Sequence, residues 1–287
     1  MKTKKKLQKF TLFRPKIRSR HSSHSPLRTS LSLLPFRSVV RLGSTTKLRD
    51  NYQRVECNTI EAIKTSASKL RMKLAFLKAG ISTALWGEAT TADIINDGAI
   101  QFNTDKNGCE GLEYPIVAKH IYGSRGTGNY LLKTKAELEA WLVGKNLSNY
   151  IFEKFYDYSR EYRLHVTKDG CFYTCRKMLK NDTPENKRWF RNDSNSTWIL
   201  ESNPAFDKPV NWASIVTESV KALKAVGLDI GAIDVKVQSA KKKNGTPREN
   251  PKFIILETNS APSLKNVGLA RYLFQIPIIL KQKYQEL

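Results

Sequence analysis

Two apolar runs near the C-terminus, each interrupted by a single acid, constrain this chain more than any other feature. Gly231-Ala-Ile-Asp234-Val-Lys-Val and Phe253-Ile-Ile-Leu-Glu257-Thr-Asn259 are separated by a basic stretch holding Gly245 and Pro247, the pattern of two paired strands joined by a turn. A turn centred near Gly245 and Thr246 sets Asp234 opposite Glu257. Directly opposed side chains share a sheet face about 5 Å apart at Cβ, and two carboxylates so placed repel. Asn259 points the same way, because strand side chains alternate faces. Singly, either acid would also suit an exposed position or an ion pair with Lys236. Together, inside otherwise apolar runs, the three offer the hard oxygen ligands that Mg²⁺ takes beside nucleotide phosphates.

A second group begins at Lys119, in the strand-like Pro115-Ile-Val-Ala-Lys119-His120, and continues into Gly123-Ser124-Arg125-Gly126-Thr127-Gly128. A glycine-rich turn brings backbone N–H groups close to phosphate oxygens, and a lysine on the preceding strand adds a point charge. No Gly-Lys-Ser/Thr follows, so this is not a Walker A loop, and it is not the dinucleotide Gly-x-Gly-x-x-Gly. A protein kinase is excluded too, since the lysine precedes the loop and neither His-Arg-Asp nor Asp-Phe-Gly occurs. Alone, the segment reads equally as an ordinary glycine-rich hairpin. A third group, Phe152-Glu153-Lys154-Phe155-Tyr156 followed by Glu161, reads as a strand entering an exposed connection, able to offer backbone groups to a purine edge and a carboxylate to a ribose hydroxyl.

The 287 residues, 40% hydrophobic and 10% aromatic, are enough for one or two domains with a real core and exclude wholesale disorder. Cys57, Cys109, Cys171 and Cys175 are too few and scattered for a disulfide framework, so a reducing, intracellular setting is expected. Cys171 and Cys175, with His165 nearby, read as packing rather than a zinc site. The best apolar run, Leu273 to Leu280, is broken by Gln275 and Pro277 and is too short to span a bilayer. Formal charge is +23, and the first fifty residues hold fourteen Lys and Arg against one acid, Asp50. Residues 1–37 are therefore expected as a basic, flexible arm. Residues 1–50 could bind nucleic acid or another polyanion, serve as a targeting segment, or be a solvated tail.

Periodicity predicts a strand at Ser38–Leu42, a helix from Asn58 to Ala79 ended by Gly80, a strand at Ile81–Trp86 and a helix at Thr91–Gly98. It further predicts a helix from Lys135 to Val143, a hairpin of Glu161–Thr167 with Cys171–Met178, a surface loop from Asn181 to Ser196 and a helix from Asn211 to Val226. Strands and helices without regular alternation indicate an α+β fold.

In order and spacing, Ser68-Lys69-Leu70, Pro115 to His120, the glycine loop, Phe152 to Tyr156 with Glu161, Gly231 to Val235 and Leu256-Glu-Thr-Asn-Ser-Ala-Pro-Ser-Leu264 resemble the ATP-grasp superfamily from about Arg41 onward. The branch is that of carboxylate-amine ligases, typified by D-alanine:D-alanine ligase and the ribosomal-protein glutamate ligase, with small phage-encoded members. The resemblance implies two α+β lobes sandwiching ATP, a small one over about residues 112–158 and a metal- and substrate-binding one over 159–287, within a module spanning 91–287. A reduced N-terminal segment (38–90) would precede it.

It further implies ATP and Mg²⁺ as cofactors, two ions held by Asp234, Glu257 and Asn259, with Mn²⁺ able to substitute. Lys69 and Lys119 would contact phosphates under a loop of Gly123, Ser124, Arg125, Gly126, Thr127 and Gly128. Glu153, Lys154, Phe155 and Tyr156 would flank adenine, and Glu161 the ribose. Arg176 would bind phosphate and act with Lys119 in catalysis, and Phe190-Arg191-Asn192 would open the next element. Two departures stand out: Ala232 occupies the place of an arginine found in D-alanine ligases, and Ser194-Asn195-Ser196-Thr197 replaces expected glycines. The implied reaction joins a carboxylate and an amine, free or carried on a polymer, through an acylphosphate. An ATP-grasp kinase acting on a hydroxyl, or a basic nucleic-acid-binding or virion protein with a vestigial site, are the alternatives.

Overall fold

A computed structural model describes residues 11–94, 99–103, 107–123, 126–192 and 194–287. The chain opens with β1 (Lys16–Ser19), α1 (Leu27–Ser30), β2 (Ser38–Leu42) and β3 (Val55–Cys57), and these three strands form a parallel sheet in the order β1-β2-β3. The helices α2 (Ile60–Ala67) and α3 (Lys69–Ala79) follow. Next come β4 (Trp86–Glu88), β5 (Ala92–Ile94), β6 (Ala99–Phe102), β7 (Gly111–Glu113), β8 (Ile116–His120), β9 (Asn129–Leu132), α4 (Lys135–Leu142) and β10 (Tyr150–Lys154). They give a four-stranded sheet ordered β4-β10-β8-β9 and a small β5-β6-β7 sheet. Finally β11 (Arg160–Thr167), β12 (Cys171–Leu179), β13 (Ser196–Leu200), α5 (Trp212–Ala225), β14 (Ile230–Val237) and β15 (Phe253–Asn259) precede α6 (Asn266–Gln285). These strands make a five-stranded antiparallel sheet, β13-β12-β11-β14-β15.

Period-two alternation splits the five-stranded sheet into an oily face and a charged one. Tyr162, Leu164, Val166, Ile233, Val235 and Val237 are buried among α2, α3 and α5, while Glu161, Arg163, Asp234 and Lys236 line a cleft on the other side. The four-stranded sheet does the same on a smaller scale. Ile116, Ala118 and Phe152 pack on Leu138 and Trp141 of α4, leaving Val117, Lys119 and Glu153 to the cleft. The charged faces of the two sheets therefore bound one cavity.

Four expectations change. The helix expected over Asn58–Ala79 is two helices, because Ser68 is extended (φ −100, ψ 116) and its hydroxyl caps α3 by accepting from the Arg71 amide. That break leaves Lys69 in the first turn of α3, facing the cleft. The helix expected over Thr91–Gly98 is strand β5 where the chain is described, since Ala92 to Ile94 pair with β6; residues 95–98 lie outside the described residues. The loop expected through Ser196 ends in an edge strand, β13, paired with β12.

The fourth change concerns the arm. Residues 1–10 lie outside the described residues, but 11–37 are no arm: Ile17 pairs with Val40, and Leu27, Leu31, Leu34 and Phe36 pack against Tyr272, Ile276, Ile279 and Leu280 of α6. Four leucines and a phenylalanine between residues 27 and 36 give enough apolar surface to outweigh the surrounding charge. Asn58 ties this subdomain to the rest. Held at φ 60, a left-handed conformation that asparagine tolerates, it accepts from the Asp229 and Ile230 amides (2.7 and 3.1 Å) and donates to the Arg41 and Ile230 carbonyls. No helix among the described residues is long and apolar enough to cross a membrane.

Candidate active site

The cleft between the two sheets encloses about 850 Å³ and is lined by nine lysine and arginine side chains against four carboxylates. That excess of positive charge suits a polyphosphate. On the large sheet, Asp234 pairs directly with Glu257 and Ala232 with Asn259, the register read from the sequence. Beyond Asp234 the pairing slips by one residue, so Val235 meets Ile255 and Leu256 is left as a bulge, which turns Glu257 and Asn259 into the cleft.

Asp234 is not free. Its two oxygens accept from Arg163 Nε and Nη2 (2.7 and 2.8 Å), and Oδ2 also accepts from Lys177 Nζ at 2.8 Å. Burial alone would raise its pKa, but these cations hold the carboxyl well below the usual aspartate range. Lys177 also donates to Glu161 at 2.7 Å, and Arg191 stands 3.8 Å from the other Glu161 oxygen. The Glu257 side chain makes no hydrogen bond or ion pair among the described residues.

Across the cleft, Lys119 donates to Glu153 at 2.7 Å, and Lys73 approaches the second Glu153 oxygen at 3.2 Å. Lys73, fully buried, also donates to Thr83 Oγ1 at 2.6 Å, and burial lowers its pKa to about 8. Lys69 donates to the Gly123 carbonyl and is held to the strand by its amide, which donates to Ile121 O at 2.9 Å. Its pKa is lowered by burial. Gly126 and Gly128 adopt φ of 79° and 75°, which non-glycine residues rarely take.

Most residues anticipated from sequence converge here: Lys69, Lys119, Gly123, Gly126, Glu153 to Tyr156, Glu161, Asp234, Glu257 and Asn259 all line the cavity. Thr127 and Gly128 belong to the same turn without lining it, and Ser124 and Arg125 lie outside the described residues. Arg176 is a correction. On a strand it must face away from its neighbour Lys177, and its guanidinium instead donates to the Ala205 and Phe206 carbonyls at the sheet edge. Lys177 is the cation that reaches the cleft. The missed residues are Lys73, Arg163, Lys177 and Lys236. Glu161 and Lys177 are cross-strand partners, as are Arg163 and Asp234, so the hairpin register held the signal.

Lys236, whose pKa burial lowers to about 8, donates weakly to the Tyr156 and Trp189 carbonyls (3.3 and 3.4 Å). Cys171 and Cys175 cannot share a metal: a bulge puts Cys171 opposite Val166, on the helix-packed face, and Cys175 opposite Arg163, on the cleft face. Among the described residues no three His, Cys, Asp or Glu side chains cluster as a metal site, so the donor set on the sheet is two carboxylates and an amide.

The D-alanine–D-alanine ligase from Bacillus anthracis, solved with ATP, superposes with a TM-score of 0.51 at 18% identity, covering 81% of this chain and 72% of that one. The fold is ATP-grasp. The D-alanine–D-alanine ligase from Coxiella burnetii matches with a TM-score of 0.50 at 10% identity, over 81% of this chain and 62% of the other. No family model and no curated protein sequence matches the chain. The cavity lies between the four-stranded sheet with α4 and the five-stranded sheet.

Proposed function

We propose that the protein is an ATP-dependent carboxylate-amine ligase. One observation carries the reading: across a single cleft, two cations suited to phosphate, Lys119 on the four-stranded sheet and Lys69 at the start of α3, face an acid pair and an amide on the five-stranded sheet (Asp234, Glu257, Asn259). The donor set fits Mg²⁺. Glu257 is unpaired among the described residues, Asn259 adds a neutral oxygen, and Asp234 Oδ1 keeps a lone pair beyond its bond to Arg163. When bound there, Mg²⁺ would neutralise charge on the triphosphate and polarise the γ-phosphoryl group.

This chain's own residues do the rest. Lys69 and Lys119 hold the phosphates, and Lys119 is kept extended by Glu153. Phe155, Tyr156 and Trp189 form the base end, with Glu161 at the ribose and Lys177 beside the phosphates. A substrate carboxylate oxygen attacks the γ-phosphorus and the bond to ADP breaks, giving an acylphosphate. An amine then attacks the acyl carbon, phosphate departs, and the amine's proton leaves with solvent. Such chemistry needs mainly positioning and charge stabilisation, which a closed cationic cleft supplies.

The test is product analysis after incubating the protein with Mg²⁺, ATP and a panel of carboxylates and amines. ADP, phosphate and a new amide in equal amounts are expected. ADP with a phosphoester would make it a kinase, and no nucleotide turnover with any pair would refute the ligase reading.

A further inference from the structure

Beyond Asn259 the cleft continues past the region assigned to the triphosphate, and its far wall is built by the segment that looked like an arm. Arg20, His21 and Gly43 line it on one side, and Ser260, Ser263 and Lys265 on the other. The two sides are fastened together. His24, 1% exposed, bonds the Pro262 carbonyl through Nε2 at 2.7 Å. A carbonyl only accepts, so the proton sits on Nε2, and Nδ1 accepts from the Ser19 hydroxyl. Ser23 Oγ accepts from the Leu264 amide at 2.9 Å. A Cβ on Gly43 would lie 2.6 Å from Ala261 Cβ and 3.7 Å from Arg20 Cβ, so glycine is what lets Arg20 sit beside the 260–265 turn.

The wall has one sign of charge. No Asp or Glu occurs between residues 1 and 49 or between 258 and 285. The side chains of Arg20 and Lys265 make no hydrogen bond or ion pair among the described residues. His21 Nδ1 accepts from the Ser23 amide at 3.1 Å, so its proton is on Nε2 and that nitrogen is a donor. The acids that balance the phosphate end, Asp234 and Glu257, belong to the metal face.

Resting on the ligase reading, we infer that this wall is a second anion subsite: the substrate that gives up its carboxylate to phosphorylation carries a further anionic group, carboxylate or phosphate, which Arg20 and Lys265 hold. The substrate class is thus a dicarboxylate or a phosphorylated carboxylate rather than a neutral or amino-terminated acid.

The experiment is calorimetric titration of the full chain, loaded with Mg²⁺ and a non-hydrolysable ATP analogue, with malonate, succinate, glutarate, adipate and 4-phosphonobutyrate, each against butyrate. At least one dianion should bind tenfold or more tightly than butyrate, and the carboxylate and phosphonate arms tell the two anion types apart. Arg20→Gln and Lys265→Gln should each erase most of that preference. Arg28→Gln, at an exposed cation of the same segment away from the cleft, should keep it. Dianions no tighter than butyrate, or a preference that survives both variants, would overturn the inference. Neither result depends on amide formation: absent ADP release with intact dianion preference would sink the ligase reading and leave the subsite standing.

Discussion

Replacing Asp234 with asparagine should damage the fold before it damages chemistry, and the contrast with Glu257→Gln makes this measurable. Asp234 is 2% exposed and takes three charge-assisted hydrogen bonds, two from Arg163 and one from Lys177. Asparagine presents one acceptor oxygen and turns an amide N–H₂ toward the cations. Lys177 keeps Glu161 at 2.7 Å, but Arg163 loses its carboxylate partner and half of its bidentate contact, keeping the face of Trp198, 4.7 Å away. Removing one partner of a buried ion pair costs about 3–5 kcal/mol, a large share of a total stability of roughly 5–15 kcal/mol. At about 2–4 °C per kcal/mol for a chain of this size, the midpoint of thermal unfolding should fall by roughly 6–20 °C. Glu257 has no partner to lose, so Glu257→Gln should stay within about 0.5 kcal/mol of the parent, while Mg²⁺-dependent ATP binding weakens by about 10²-fold. The assay is thermal unfolding by circular dichroism without nucleotide. Asp234 is depressed in the folded state, so its contribution is present above the unfolded aspartate value, near 3.9, and is lost only as pH falls below it. The gap between the two variants should therefore be full at pH 7 and shrink in acid. An Asp234→Asn midpoint within 2 °C of the parent would refute the claim that this carboxylate holds the sheet together.

Three further outcomes follow from the same geometry. Lys177→Met should weaken nucleotide binding by about 10- to 100-fold, the value of a charged hydrogen bond, whereas Arg176→Met should change it less than threefold; calorimetry giving the reverse order would return the phosphate contact to Arg176. Leu27→Ala, at a fully buried position against α6, should cost about 2–5 kcal/mol, read from the unfolding midpoint; a harmless Leu27→Ala would mean that the N-terminal subdomain is not part of the core. Lys73 has its pKa lowered to about 8 against an unfolded value near 10.4, so between those limits the unfolded chain binds more protons and stability rises with pH, by up to ~3 kcal/mol from this group. Lys73→Met should flatten that rise in denaturant titrations at pH 7.5, 9 and 10, and an unchanged slope would show that Lys73 carries its ordinary proton affinity.

The pairing of Asp234 with Glu257 was legible in the sequence because a hairpin obeys arithmetic: apolar alternation and the turn position were enough to set the register. The same arithmetic, applied to β11 and β12, would have pointed to Lys177 over Arg176, since only Lys177 shares a face with Glu161. Lys73 was hidden for a different reason. A lysine amid Leu70, Met72, Leu74 and Phe76 looks like the wet side of an amphipathic helix, and nothing local announces that Glu153, eighty residues later, will meet it in the core. The arm was misread because charge was summed over a window in which the leucines are what pack. Arg14, Lys16, Arg20 and Arg28 stay at the surface while Leu27, Leu31 and Leu34 go inward, and an average cannot see that division.

Asn58 has a mechanical consequence. The four buried hydrogen bonds of its side chain span Arg41 at the end of the parallel sheet and the Asp229–Ile230 entrance to β14, and Lys168 and Lys283 clamp Asp229 from β11's turn and α6 at 2.9 and 2.8 Å. Arg20's wall and the Asp234 strand are thereby riveted into one jaw. If the proposed nucleotide site must open, the opening would fall to the opposite sheet of β4, β8, β9 and β10. On the proposed reading, the distance from Asp234 and Glu257 to Arg20 and Lys265 becomes a fixed ruler, and a substrate too short or too long to span it would lose one of its two anchors.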